Sequence, residues 1–202
     1  RRQPDPKPYY AQVMTYCVAF GGFIFLGVTG LLNLLKFMIA PAYRAGLHIV
    51  PILLLANLLL GMYFNLSIWY KLTERNRTGA LIAFLGALVT VILNIALIPV
   101  IGYTGSALAT LASYLLMVIT SYTLSRYYYP IPYQKGRIGF YMGYAVLLYS
   151  LGWVFENQII GSWGWETILF KTALIGLYAG TFAYVEKPDI MLNLLNKLKQ
   201  RL

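Results

Sequence analysis

The sequence predicts an all-α, polytopic membrane helical bundle of about six transmembrane helices, and three observations carry that prediction. Of its 202 residues, 59% are hydrophobic and only 11% charged, with a mean hydropathy of +0.66. A soluble domain draws about a quarter of its residues from Asp, Glu, Lys and Arg. Several apolar runs also reach the ~20 residues that a helix needs to cross ~30 Å of hydrocarbon. Finally, the connections between runs alternate between rich and poor in Lys and Arg, as short loops do when they are sorted across a bilayer.

Six runs can be marked, at 10–35, 48–70, 79–100, 104–127, 139–155 and 168–185. Each is continuously apolar rather than alternating, and lipid satisfies no open backbone group, so helices are expected and barrel strands are not. Residues 1–9 begin Arg1-Arg2-Gln3-Pro4-Asp5, with no initiator Met and no signal peptide, and read as the cytoplasmic cut end of a longer chain. Residues 10–128 are expected to form a four-helix unit. In 129–136, Pro130 and Pro132 cannot continue a helix, so this stretch reads as a cytoplasmic linker. Residues 137–186 then form a terminal transmembrane hairpin. In the basic tail 187–202, Met191, Leu194, Leu195, Leu198 and Leu202 share one helical face, which suits the anionic surface of an inner leaflet.

The 16 basic residues sort by side. Thirteen fall together: Arg1, Arg2 and Lys7, then Lys71, Arg75 and Arg77, then Arg126, Lys135 and Arg137, then Lys187, Lys197, Lys199 and Arg201. Only Lys36, Arg44 and Lys171 fall on the other side, where Glu156 and Glu166 flank the last connection. That bias places both ends in the cytoplasm and turns the net charge of +10 into a topology signal. Tyr9, Tyr70, Tyr127, Trp153 and Trp165 gather at span ends as interfacial anchors, in two planes rather than along one basic groove, so no nucleic-acid partner is expected.

Catalytic chemistry is almost absent. His48 is the one histidine, at the outer end of the second span, and Cys17 the one cysteine, inside an apolar run. No metal set and no nucleophile triad can be assembled, and no resident cofactor is expected. Small and mildly polar stripes are present instead. Gly79, Ala83, Gly86, Thr90 and Asn94 recur along the third span, and Ser106, Thr110, Ser113, Met117 and Thr120 along the fourth. Asn57 and Gly61 share a face of the second, with Asn65 at its flank, and Gly176 and Gly180 pair on the last. Such stripes either pack helices closely or line a cavity. In the cavity reading, Asn57, Asn65, Ser106 and Ser113 face substrate. Asn94 stands apart, because an amide inside a span needs a partner, and lining a cavity or coordinating an ion would supply one.

Asn94, Leu97-Ile98-Pro99, Gly102, Gly105-Ser106-Ala107 and Ala109-Thr110 resemble the signature "N..LIP..G..GAA.AT" of the polysaccharide biosynthesis C-terminal region of oligosaccharide flippases. Tyr43-Arg44-Ala45-Gly46, Ile49-Val50-Pro51-Ile52-Leu53 and Gly61 fit upstream. The resemblance places the chain in the multidrug, oligosaccharidyl-lipid and polysaccharide exporter superfamily. It implies the C-terminal lobe of a two-lobed fold plus a final hairpin, with a missing N-terminal lobe as its partner. It also implies a bacterial inner-membrane protein that moves an undecaprenyl-linked glycan by alternating access and breaks no covalent bond. By similarity to lipid II flippases, Thr90, Asn94 and Thr110 occupy cation-binding positions, which would couple transport to Na+ or H+. A drug or metabolite exporter of the same superfamily and a membrane-embedded glycan or acyl transferase are the alternatives. The absence of deep ionisable groups speaks against the transferase.

Overall fold

The computed structural model describes residues 5–160 and 165–199, with side chains described except at 158–160 and 187–199. Every regular element among them is helical. Six segments are long and apolar enough to cross a membrane: Lys7–Gly30, Pro41–Leu72, Asn76–Ile101, Tyr103–Tyr128, Lys135–Asn157 and Trp165–Glu186. The chain is an all-α, multi-pass membrane bundle.

Helix α1 (Lys7–Gly30) starts with a proline in its first turn, where no intrahelical N–H is required, and the Asp5 carboxylate accepts the Lys7 amide at 3.1 Å. The first expected span is not one helix to its end. Leu31 breaks it, α2 (Leu32–Leu35) adds one turn, and the 3-10 segment Pro41–Ile49 leads into α3 (Val50–Leu66). A second break at Ser67 separates α3 from α4 (Ile68–Leu72), and the Ser67 hydroxyl donates to the Phe64 carbonyl at 2.6 Å. Helices α5 (Asn76–Ile101) and α6 (Tyr103–Tyr128) are joined by Gly102 alone. Its φ of +60° and ψ of −142° lie where only glycine sits without strain. Helix α7 (Lys135–Val154) ends in a π-helical turn, Phe155–Ile160, and α8 (Trp165–Lys199) runs on past Pro188 without a break. The side-chain faces of the expected amphipathic tail lie outside the described residues.

The helices pack in the order α5, α6, α3, α1, with α7 and α8 both against α1. The terminal hairpin is therefore built onto the first helix of the chain. Helix association in lipid depends on close van der Waals approach, and small residues permit it. Gly79 lies under the Tyr70 ring, Gly86 under Met117, and Gly105 against the main chain of Leu97. Gly22 leaves room for Tyr178, whose hydroxyl donates to the Ala19 carbonyl at 3.1 Å and ties α8 to α1. Thr15, Thr29, Thr90, Thr110 and Ser113 donate to carbonyls of their own helices, so their hydroxyls meet lipid or neighbours already satisfied.

At the end where α1 begins, Trp69 is fully buried and its indole N–H donates to Ser121 Oγ at 3.1 Å. Tyr128 stacks on Trp69 at 5.7 Å between centroids, and the Arg75 guanidinium lies 3.9 Å from the Tyr128 ring centre. The linker folds back onto this end: Ile131 is buried, and the Lys7 and Lys135 ammonium groups cover the Tyr129 and Tyr122 rings. Glu186 is buried there too, accepting from Tyr141 Oη at 2.9 Å and facing Arg137 at 3.6 Å. Sequence alone does not single out this buried carboxylate, because it stands at the last residue of its span.

Candidate functional site

The sequence-derived candidates divide between a helix seam and the open surface. Leu97 opposite Gly105 and Gly86 opposite Met117 define an antiparallel register for α5 and α6. That register sets Asn94 level with Leu108 and Ala109, and Thr90 level with Ser113. Ser113 is fully buried and Ser106 half-buried. Thr90 and Thr110 are half-buried and donate to Gly86 and Ser106 carbonyls, each at 2.9 Å, which leaves their oxygen lone pairs as acceptors. Asn94 differs: its Oδ1 is buried and has no hydrogen-bond partner among the described residues. A buried amide oxygen in that condition calls for a reason. Asn57 is exposed and donates to Leu53 O at 2.8 Å, whereas Asn65 is half-buried. The seam thus gathers Thr90, Asn94, Ser106, Thr110 and Ser113 along one hairpin, with Asn57 and Asn65 apart on α3.

A different set of residues encloses a cavity of about 320 Å³ at the opposite end of the bundle from the Trp69 cluster. Its walls are the end of α1, the connection through Lys36, the 3-10 segment, the end of α7, the π turn and the second turn of α8. None of the seven residues above lines it. The π turn carries Glu156 inward, where Oε2 accepts from Lys171 Nζ at 2.6 Å and Oε1 accepts from Asn33 Nδ2 at 2.5 Å. The two charged side chains are 15% and 13% exposed, so this is a nearly buried ion pair with its second carboxylate oxygen also satisfied. The Lys171 stem passes beside Gly30 and Gly152.

The 3-10 segment supplies two more groups. Arg44 Nε donates to Ile39 O at 3.1 Å, which orients the guanidinium and leaves its remaining N–H groups uncommitted to any carboxylate among the described residues. His48 bridges two elements: a carbonyl only accepts, so Nδ1 donates to Ala45 O at 2.6 Å, and Nε2 meets Thr104 Oγ1 of α6 at 3.1 Å. Sequence reasoning counts Lys36, Arg44 and Lys171 as the minority charges of one side but does not join them. The available signal is their departure from the charge bias, since residues 135 positions apart, Lys36 and Lys171, meet only through packing. Among the described residues no group of three His, Cys, Asp or Glu side chains converges as a metal site would require.

No protein-family model, curated protein or solved structure matches this chain.

Proposed function

We propose that this chain is the C-terminal part of a transporter that flips undecaprenyl-linked oligosaccharide across the bacterial cell membrane. The observation that carries the reading is the α5–α6 hairpin, where the signature residues each meet a physical demand. Gly102 takes a backbone conformation that other residues adopt only under strain, and Gly105 brings α6 against the Leu97 main chain. Asn94, the signature's first residue, holds a buried oxygen without a partner among the described residues, which supports a role in contacting cargo or a coupling cation, Na+ or H+. Thr90 and Thr110 stand near it in register with acceptor lone pairs to offer. Motion follows the alternating-access scheme of two-lobed transporters, in which one rigid lobe rocks against another around a midplane site. The second lobe is expected upstream. The charge bias supports an orientation with the α1 start and the linker in the cytoplasm.

The test uses the full coding region in a glycan-producing host. Asn94→Leu and Thr110→Val are expected to lower surface glycan while leaving the protein's membrane level intact. Normal glycan in both variants, or an upstream region that encodes no further spans, would remove the support for this reading.

A further inference from the structure

All three basic residues that chain order puts at the far end of the bundle line one cavity there, and they arrive from three separate segments. Lys36 follows α2, Arg44 sits in the 3-10 segment, and Lys171 in the second turn of α8. The only carboxylate in the wall among the described residues, Glu156, is already bonded to Lys171 and Asn33. Three cations against one carboxylate leave a formal charge of +2 in the walls, with His48 uncounted. Cations held together in a partly enclosed space repel more strongly than in bulk water, because the effective dielectric is lower. An anion seated among them removes that repulsion.

The shape of the donor set narrows the anion. Arg44 is oriented by its bond to Ile39 O and presents a planar fork, while Lys36 presents a point charge with three donors and no carboxylate partner among the described residues. Donors that line one cavity from different elements suit a tetrahedral oxyanion with several acceptor oxygens. The depth agrees. The cavity is walled by the end of α1, the end of α7 and the start of α8, with Trp153 among its residues, and span ends that carry tryptophan suit the headgroup level of a bilayer. Its volume of about 320 Å³ falls at the small end of ligand sites.

We propose that this cavity is a phosphate-binding site. Lys36 and Arg44 ligate the phosphate of a lipid headgroup or a free phosphate ion, and the Asn33–Glu156 contact holds Lys171 beside them. The proposal stands independently of the cargo assigned above.

The experiment takes the protein expressed from its full coding region, purified into nanodiscs of phosphatidylcholine alone or mixed with phosphatidylglycerol. Native mass spectrometry counts the lipids retained on release, and calorimetry with inorganic phosphate is run in the phosphatidylcholine discs. Lys36→Gln/Arg44→Gln is compared with Lys71→Gln/Arg77→Gln, an equal charge change at exposed residues of the other end, with circular dichroism and gel filtration confirming both folds. We expect the wild type and the Lys71/Arg77 variant to favour phosphatidylglycerol, or to bind phosphate, about tenfold over the Lys36/Arg44 variant. Phosphatidylglycerol preference without phosphate heat assigns the site to a headgroup, and phosphate heat alone assigns it to the free ion. Neither signal in the wild type, or equal losses in the two variants, overturns the proposal.

Discussion

Gly105 shows how much one hydrogen can decide in a membrane bundle. A methyl group there would overlap the Leu97 main chain, which cannot swing aside as a side chain can. Gly105→Ala is therefore expected to destabilise the α5–α6 hairpin by ~1–3 kcal/mol, the usual cost of overpacking. Unfolding in mixed detergent micelles measures this, and Gly27→Ala, which meets nothing within 4 Å, serves as the comparison with a change inside ~0.5 kcal/mol. Equal behaviour of the two variants would mean that α6 does not lie against Leu97. Position 105 is legible in the sequence only as a glycine of the signature, because its approach to Leu97 is a packing contact between two helices. Asn94 is legible as an amide in want of a partner, but its orphaned Oδ1 emerges only when both helices are in place.

At the scale of elements, the regular helices follow from length and hydropathy, whereas the irregular ones do not. The breaks at Leu31 and Ser67 leave the apolar runs uninterrupted, so composition gives no warning of them. The π turn is the most consequential. Glu156 reads in sequence as a headgroup-level flank, yet the turn Phe155–Ile160 carries it against Lys171 and Asn33. Such turns widen a helix and re-aim side chains, and they recur where function is placed. Removing the carboxylate leaves a nearly buried ammonium without its partner, so Glu156→Ala is expected to cost about 3 kcal/mol, near the lower end for a broken buried pair. Lys36→Gln, which breaks no ion pair among the described residues, is expected to change stability by less than ~0.5 kcal/mol. Comparable losses in both variants would place the ion pair elsewhere.

The whole molecule is ordered by two features at opposite ends. One end carries most of the basic charge together with the Trp69, Tyr128 and Arg75 stack, and the other carries the cationic cavity. The number of crossings is legible because hydrocarbon thickness sets a length that sequence must meet. The packing order is not, since the spans are similar in hydropathy and their neighbours are chosen by small-residue contacts and a few polar pairs that form only on packing. Orientation is tested by labelling in intact cells from a Cys17→Ser background. Lys36→Cys should react with an impermeant thiol reagent and Arg77→Cys only after lysis, and the reverse pattern would invert the topology. Lipid-linked oligosaccharide flipping is measured with the full coding region in proteoliposomes containing an undecaprenyl-linked oligosaccharide, followed by protection of the inner-leaflet glycan from an added glycosidase. Protected glycan should become accessible only in protein-containing vesicles, and more slowly with Asn94→Leu. Glycan that stays protected while a small cationic dye crosses the same membranes would contradict it.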